Sequence, residues 1–205
     1  EGQKRLSGEP YFSHCVEVAN TLANWNMDTT TIVAGLLHDT IEDTDATLEE
    51  ITSIFGNELG ILVNGLTKLK DIKYLTRKEK QVSNFMKMLL SVAQDLRVII
   101  IKFADRLHNM KTINYMPKIK RHRIAIETRD IYIPLAHRMG MSSVKSQLED
   151  LVFQVLKQKE FHQIKAKVKS SKKQRLKLIK QVIEPISEEL KNYDIRPNIF
   201  GRAKS

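Results

Sequence analysis

The chain contains few of the residues that interrupt helices or cross-link small folds. Its 205 residues include 1 cysteine, 5 prolines and 8 glycines. A single cysteine, Cys15, cannot form an internal disulfide, and this is typical of a protein of the reducing cytoplasm. Because proline and glycine are scarce, forced turns are few and helices are favoured.

Long apolar runs are also missing. The longest covers residues 98–101, whereas a membrane-spanning helix needs roughly 20 apolar residues. We therefore expect no membrane partner, and we find no signal peptide. With 41% hydrophobic and 28% charged residues, the composition is that of a soluble globular protein, long enough for one core and part of a second domain.

Acidic residues are fewer than basic residues, and the formal net charge is therefore +10. Such a charge attracts polyanions, both nucleic acids and highly phosphorylated small molecules. The excess is uneven, since residues 39–50 are acidic and residues 165–180 are basic. No aromatic residues interleave with the basic run, so a solvated helix face is the simpler interpretation and nucleic-acid binding is not expected.

Apolar residues recur at helical spacing along nearly the whole chain, which predicts an all-α fold. A first helix begins near Pro10, and a second runs from an Asp28 cap to about Asp43. A lysine-rich loop is expected at residues 67–80. Thr47 and Glu50 predict a capping box at the start of a third helix. Further helices are predicted at about residues 47–55, 59–65, 82–93, 95–110, 120–136, 143–157 and 165–193.

The end of the second predicted helix concentrates metal-binding groups. His38 and Asp39 are adjacent, and Glu42 and Asp43 follow at i+4 from each of them. On one helix this spacing places an imidazole and three carboxylates at one end. A cation would relieve the repulsion between the carboxylates and would also ionise bound water.

A second unusual charge lies in the most apolar predicted helix, which is apolar on nearly all sides and is therefore expected to be central. Asp105 interrupts residues 98–110, and Asn109 and Thr112 extend the polar stripe at i+4 and i+7. Burying a lone carboxylate is costly, so the stripe needs a partner. A structural salt bridge from Asp105 to Arg97 or Arg106 is the alternative to a site. Taken together with His14, the two polar groups predict a metal site.

The remaining histidines carry no predicted role. We interpret them as surface or core residues, and His108 is expected to point away from the polar stripe. Cys15 is expected in the core. These histidines are His108, His122, His137 and His162.

Longer strings give a more specific pattern than the separate residues do. The order His14, His38-Asp39, Asp105 resembles the HD superfamily, whose fold is a helical bundle. The fuller strings resemble the hydrolase domain of the RelA/SpoT family, bacterial enzymes that make and degrade guanosine tetra- and pentaphosphate (ppGpp and pppGpp) in the stringent response. These strings are SGEPYFSH (7–14), LLHDTIEDTDAT (36–47), GLTKL (65–69), KFADRLHNMKT (102–112) and YIPLAHRMG (132–140).

The resemblance implies a role for each matching residue. Glu42 and Asp43 would position and activate the attacking water, and Arg5, Asn109 and Thr112 would contact the nucleotide. One divalent manganese ion, Mn²⁺, would be bound by four ligands. These ligands are His14, His38, Asp39 and Asp105.

The resemblance also implies a domain organisation and a context. Residues 1–155 would form the HD hydrolase domain, residues 156–193 a helical connection, and residues 194–205 the beginning of a truncated synthetase domain, since FGRAKS (200–205) resembles that domain's opening. The synthetase domain of the full-length chain would be a partner, and ribosome contact is conceivable only for that longer protein. Synthetase-only relatives lack the His-Asp and Glu-Asp pairs present here, which favours a working hydrolase.

Two other functions remain open from the sequence. The domain could hydrolyse a different nucleotide, such as a deoxynucleotide triphosphate or a cyclic nucleotide, as other HD proteins do. Alternatively it could bind the nucleotide without turnover and regulate the synthetase.

Overall fold

Helices make up all the regular secondary structure in the described part of the chain. The computed structural model describes residues 2–67, 95–195, 197 and 199, apart from the side chains of residues 166–176. The predicted all-α class is confirmed. The helices are α1 (Tyr11–Asn24), α2 (Thr29–Leu36), α3 (Thr40–Asp43), α4 (Leu48–Phe55), α5 (Asn57–Thr67), α6 (Leu96–Lys111), α7 (Lys118–Glu127), α8 (Ile133–Arg138), α9 (Ser142–Leu156) and α10 (Gln158–Lys191).

The chain divides into two compact units, Glu1–Leu156 and Lys157–Ser205. In the first unit, helix α6 is central because its apolar residues serve two cores. Phe103 packs in a cluster with residues of α7 to α9, such as Leu148. Ile101 packs in a second cluster with residues of α1, α2, α4 and α5, such as Leu22. This arrangement confirms the prediction of a helix that is apolar on nearly all sides.

Side-chain caps define several helix starts as the sequence indicates. Asp28 caps α2 by accepting the amide of Thr31 at 3.0 Å. Thr47 and Glu50 form the predicted capping box of α4. Asp95 accepts the amide of Arg97 at 2.8 Å at the start of α6. Each cap satisfies an amide that the first helical turn leaves without a backbone partner.

The second predicted helix is wrong in its extent. It ends at Leu36, and the chain turns before α3 begins at Thr40. In a continuous helix the carbonyl oxygen of Gly35 would accept the amide of Asp39. Here it lies 2.8 Å from Nδ1 of His38, so a side chain competes with the helical hydrogen bond. His38 and Asp39 therefore occupy a break between helices.

The predicted helix at 120–136 is present as α7 and α8, joined by a π-helical turn at Thr128–Tyr132. The second unit contains α10, with Phe161 and Lys165 in a cation–π contact at 5.4 Å. The loop predicted at 67–80 lies beyond Thr67 and outside the described residues, as does the helix predicted at 82–93. No helix in the described part of the chain is long and apolar enough to cross a membrane.

Candidate metal centre

A tight turn before α1 carries Arg5 toward the centre of the first unit. The amide of Arg5 donates to the carbonyl oxygen of Glu9 at 2.9 Å, and the amide of Gly8 donates to the carbonyl oxygen of Arg5 at 2.9 Å. Gly8 has φ +87°, a conformation that a residue without a Cβ adopts readily. The turn thus fixes Arg5 beside α6, on which Asp105 and Asn109 lie.

Four predicted ligands converge in the interior. His14 comes from α1, His38 and Asp39 from the break between α2 and α3, and Asp105 from α6. Donor atoms of the first three lie within 4.8 Å of one another. The carboxylate Oδ1 of Asp105 lies 3.3 Å from Nε2 of His14 and 3.9 Å from Nε2 of His38. Both histidines are almost fully buried, so this is an interior cluster of two imidazoles and two carboxylates.

Hydrogen bonds fix how the two imidazoles are protonated at Nδ1. A carbonyl oxygen only accepts, so His38 donates its Nδ1 proton to Gly35. A guanidinium only donates, so Nδ1 of His108 accepts from Arg5 at 2.8 Å. The 2.7 Å contact between Nδ1 of His14 and Nδ1 of His108 then requires His14 to be the donor. Both rings use Nδ1 as a donor, and both turn Nε2 toward the carboxylates.

This arrangement fits a cation. Because Nδ1 of each ring already donates a proton, its Nε2 atom either carries a second proton or directs a lone pair at a carboxylate oxygen. A lone pair and a carboxylate oxygen repel each other unless a positive ion lies between them. Nε2 of His38 is buried, and Oδ2 of Asp39 lies 3.0 Å from it. Two imidazole nitrogens and two carboxylate oxygens form a donor set that suits a divalent metal ion.

The electrostatics of the cluster keep the carboxylate of Asp105 ionised. Burial opposes the charged form of Asp105, but the hydrogen bond to His14 and the charges of His38 and Lys102 hold its pKa well below the usual range. Burial lowers the pKa of His38, yet the hydrogen bond and charge of Asp39, together with Asp105, raise it overall. The cluster therefore concentrates negative charge on the side that faces Nε2 of both rings.

Tyr11 supports the cluster from α1. Its hydroxyl donates to Oδ2 of Asp39 at 2.5 Å. Burial and this hydrogen bond raise the pKa of Tyr11 far above its ordinary value, so the hydroxyl remains a donor. Cys15 lies in the core, as predicted. Burial and the charge of Asp39 raise the pKa of its thiol to about 11, which keeps the thiol protonated at neutral pH.

A basic cavity of about 280 Å³ adjoins the cluster on the side of Tyr11. The three predicted substrate contacts all line it, and Nη2 of Arg5 donates to Oδ1 of Asn109 at 2.6 Å. The lining residues are Lys4, Arg5, Leu6, Ser7, Tyr11, Asn109, Thr112, Tyr115, Met116 and Lys120. Three of them are cationic and none is acidic, so the cavity suits an anion.

The predicted catalytic pair follows Asp39 directly. The amides of Glu42 and Asp43 donate to the carbonyl oxygen of Asp39 at 3.2 and 2.9 Å. One carboxylate oxygen of Glu42 is buried, and Asp43 lines a second cavity together with Tyr11 and Asp39. The single turn of α3 thus places both residues directly after Asp39, and Asp43 shares a cavity with it. The pairing of Glu42 with His38 on one continuous helix is not observed.

The interpretation of His108 is wrong. Its ring does not point away from the polar stripe but lies 4.8 Å from the ring of His14, centroid to centroid, and contacts Arg5. Residues three apart on a helix share a face, so the phase of α6 places His108 beside Asp105. Burial, followed by the charges of His14 and Arg5, lowers the pKa of His108 to about 4, so its ring is neutral at pH 7.

Other charges on α6 and nearby are also accounted for. Asp105 does not pair with Arg97 or Arg106. Arg106 instead donates to Glu127 at 2.8 Å and lies 4.0 Å above the ring of Tyr132. Lys102, for which the sequence predicted no role, is 5% exposed, and its charge acts on Asp105 and His38. The position of Lys102 inside an otherwise apolar helix is the sequence signal that could have revealed its role.

Comparisons with known proteins agree with this description. Residues 1–142 match the model of the HD domain family. A GTP pyrophosphokinase of Myxococcus xanthus is 48% identical over 207 residues, which cover 100% of this chain and 27% of that protein. The bifunctional (p)ppGpp synthase/hydrolase SpoT of Escherichia coli K12 is 44% identical, over 100% of this chain and 29% of that protein. The chain thus spans less than a third of the length of these relatives.

A solved structure has the same fold. It is described as a metazoan ortholog of SpoT that hydrolyses ppGpp, and it aligns with a TM-score of 0.57 at 24% identity over 78% of this chain and 88% of the other. The relatives matched along the entire chain agree with the RelA/SpoT resemblance that the sequence motifs suggest. The match over residues 1–142, joined to these relatives, shows that the chain belongs to the HD domain family and, within it, to the RelA/SpoT group.

Proposed function

We propose that this chain removes the 3′-diphosphate of guanosine tetra- and pentaphosphate, giving pyrophosphate and GDP or GTP. The observation that carries the proposal is the interior cluster in which two imidazole Nε2 atoms face two carboxylates, next to a cavity lined by three cationic side chains. The names of the SpoT relatives support the substrate.

We assign the metal ligands as His14, His38, Asp39 and Asp105, and the ion as one Mn²⁺. The mixed donor set supports a divalent ion, but imidazole also suits zinc and iron, whereas carboxylate suits manganese. The choice of manganese rests on the RelA/SpoT resemblance. When bound, such an ion supplies Lewis acidity toward a phosphate oxygen and lowers the pKa of a water molecule.

The protein residues do the remaining work in this mechanism. Tyr11 holds Asp39 through its hydroxyl, which keeps that carboxylate directed into the cluster. Glu42 and Asp43 orient the attacking water, and one of the two carboxylates accepts its proton. The water oxygen forms a bond to the phosphorus attached to the ribose, and the bond from that phosphorus to the 3′ oxygen breaks. The 3′ oxygen takes up a proton, and pyrophosphate leaves.

Substrate binding is assigned to the basic cavity. Arg5, Asn109 and Thr112 contact the nucleotide, with Arg5 already held by Asn109 at 2.6 Å. Lys4 and Lys120 line the same cavity, and their charges offset those of the phosphate groups. Preorganised donors of this kind stabilise the charge that develops on the leaving group.

The same proposal extends to the domain organisation and the cellular context. We propose that residues 1–155 form the hydrolase domain, that residues 194–205 begin a synthetase domain, and that residues 156–193 connect the two. A synthetase domain in the full-length chain is supported by the name of the E. coli relative, a bifunctional synthase/hydrolase. Both this relative and the Myxococcus xanthus protein are more than three times as long as this chain. A cytoplasmic location agrees with the single, buried cysteine.

The test is product release from guanosine 3′,5′-bis(diphosphate) by the purified chain, with manganese or with a chelator. We expect pyrophosphate and GDP only when the metal is present. Asp39→Asn should abolish turnover and weaken metal binding. Asp45→Asn is the matched control, because Asp45 is an exposed carboxylate outside the cluster. Full activity of Asp39→Asn would contradict the assignment. Release of inorganic triphosphate from a deoxynucleotide triphosphate instead would indicate a different substrate class.

A further inference from the structure

A closed ring of polar contacts links the basic cavity to the metal ligands. Nδ1 of His14 lies 2.7 Å from Nδ1 of His108, which lies 2.8 Å from Nη1 of Arg5. Nη2 of Arg5 donates to Oδ1 of Asn109 at 2.6 Å, and Nδ2 of Asn109 donates to Oδ1 of Asp105 at 2.5 Å. The 3.3 Å contact from Asp105 to Nε2 of His14 closes the ring. One guanidinium is thus tied to two ligands by two separate arms.

His108 is the member of this ring to which neither the sequence nor the proposed mechanism gives a role. Its Nδ1 atom is the shared acceptor for two donors that come from different parts of the chain. Arg5 belongs to the turn before α1, and His14 belongs to α1 itself, while His108 lies on α6. Nδ1 of His108 therefore holds Arg5 at the basic cavity and the predicted metal ligand His14 in fixed positions relative to each other.

We propose that His108 is a positioning residue that fixes His14 with Nε2 turned toward the metal ion and holds Arg5 at the cavity. This inference rests on the proposed function, since it requires that His14 binds a metal ion. A metal-binding imidazole is commonly held by a hydrogen bond between its second nitrogen and a neighbouring residue, which fixes the tautomer and the orientation of the ring. Removing that neighbouring residue typically lowers metal affinity about 10- to 100-fold.

The role depends on an acceptor at the Nδ1 position and not on the charge or bulk of the ring. His108→Leu removes the acceptor but leaves an apolar side chain of comparable size. His108→Asn retains an acceptor, because the amide oxygen of asparagine occupies about the place of Nδ1. A packing role would make these two variants similar, whereas the positioning role makes them differ.

The contacts of His108 with His14 and with Arg5 should affect different kinetic constants. His14 acts through the metal ion, so saturating manganese should restore most of the kcat of His108→Leu. Arg5 acts on the nucleotide, so the KM of that variant should stay raised after the metal site is full. A residue that only stabilised the fold would not produce this division between kcat and KM.

The deciding experiment is calorimetric titration of the 205-residue chain with Mn²⁺ alone, which needs no turnover. We expect His108→Leu to bind about 10- to 100-fold more weakly than the wild type and His108→Asn to bind within a few-fold of it. His122→Leu is the matched control, since His122 is an exposed histidine on α7, and its affinity should be unchanged. Helical circular dichroism checks that each variant is folded.

Each outcome separates the two proposals. If the wild type binds no Mn²⁺ and no other divalent ion, the proposed function fails. If the wild type binds and His108→Leu binds equally well, only the role of His108 is overturned. Equal weakening in the Leu and Asn variants would also overturn it, because the acceptor would then not matter. If His108→Leu does not fold, His108→Gln replaces it, since its amide lies one bond farther out than Nδ1.

Discussion

The Nδ1 atom of His38 donates to the backbone carbonyl oxygen of Gly35 at a distance of 2.8 Å. This contact spans only three residues, yet it has two consequences. It accompanies the end of α2 at Leu36, and it leaves Nε2 as the ring atom that faces Asp39 and Asp105. The position of the Gly35 backbone is therefore part of the metal centre, although glycine contributes no side chain to it.

Gly35→Ala should destabilise the protein. An added Cβ would collide with Cδ1 of Leu22 and lie 3.6 Å from Cγ1 of Val18, both fully buried. Overpacking of this kind typically costs about 1–3 kcal/mol, which outweighs the better helix propensity of alanine, about 1 kcal/mol. Chemical denaturation of the variant and the wild type measures the difference. Because α2 would shift, metal affinity should also fall.

Gly65→Ala is the matched comparison for that prediction. Its Cβ would lie 3.0 Å from Cγ2 of Val98, a contact that a small shift relieves. We expect a change in unfolding free energy within about 1 kcal/mol, because propensity and crowding nearly cancel. A Gly65 variant as unstable as the Gly35 variant would show that close packing at α2 is not the reason for the loss.

Divalent metal should stabilise the folded chain through the cluster. A ligand that binds only the native state adds about 2.7 kcal/mol at a concentration about 100 times its Kd. Manganese should therefore raise the melting temperature, and chelator should reverse the rise. In Asp105→Asn the metal-dependent shift should vanish, since one ligand and its charge are lost. A shift that persists in Asp105→Asn and also in Asp39→Asn would place the ion elsewhere.

The sequence predicted the fold well where one local rule decides the structure. The caps at Asp28 and Thr47 follow from the hydrogen-bonding chemistry of single side chains, and both are present. Helix α6 was recognised because apolar residues on all sides need a central position. These features depend on neighbours within one or two turns, which a pattern of residue types records.

The sequence failed where a long-range contact decides the structure. The bond from His38 back to Gly35 at the break after Leu36 is local, but the ring of His38 also faces Asp105, which lies far along the chain. The residues around Leu36 give no sign of that second contact. Likewise, His108 could be recognised as a site residue only once α1 and the Arg5 turn were packed against α6. Side-chain partners from distant segments leave no periodic signal.

Arg5 should be intolerant of a conservative change. Its two terminal nitrogens bond His108 at 2.8 Å and Asn109 at 2.6 Å, a forked geometry that a lysine ammonium does not reproduce. We expect Arg5→Lys to raise the KM for guanosine 3′,5′-bis(diphosphate) nearly as much as Arg5→Ala, by at least about 10-fold for one lost charged hydrogen bond. Arg123→Ala, which removes an exposed cation on α7 outside the cavity, is the control. A lysine variant with wild-type KM would show that charge alone suffices.

Arg97 links acidic residues at the N-terminal ends of three helices outside the metal centre. Its guanidinium donates to Asp95 at 2.7 Å and Glu58 at 2.6 Å, and it lies 3.8 Å from Asp28. Arg97→Met should lower the unfolding free energy by about 1–2 kcal/mol, mostly through Asp95, because Glu58 is largely exposed and its pair is screened by solvent. Metal affinity should be unchanged, which calorimetry would check. Arg129→Met, which removes a pair on the surface, should have no measurable effect.

The loss of unfolding free energy caused by Arg97→Met should also depend on pH, and it should become smaller at low pH. Hydrogen bonds from Arg97 lower the pKa of Asp95 below its ordinary 3.8. A carboxyl whose pKa is depressed by folding contributes stability above its unfolded pKa and loses it as pH falls through the folded value. The difference in unfolding free energy between wild type and variant should thus be constant from about pH 5 to about pH 7 and should shrink below pH 3.8. Urea denaturation across this range measures it. A difference that grows toward low pH would show that Asp95 is not the group stabilised by Arg97.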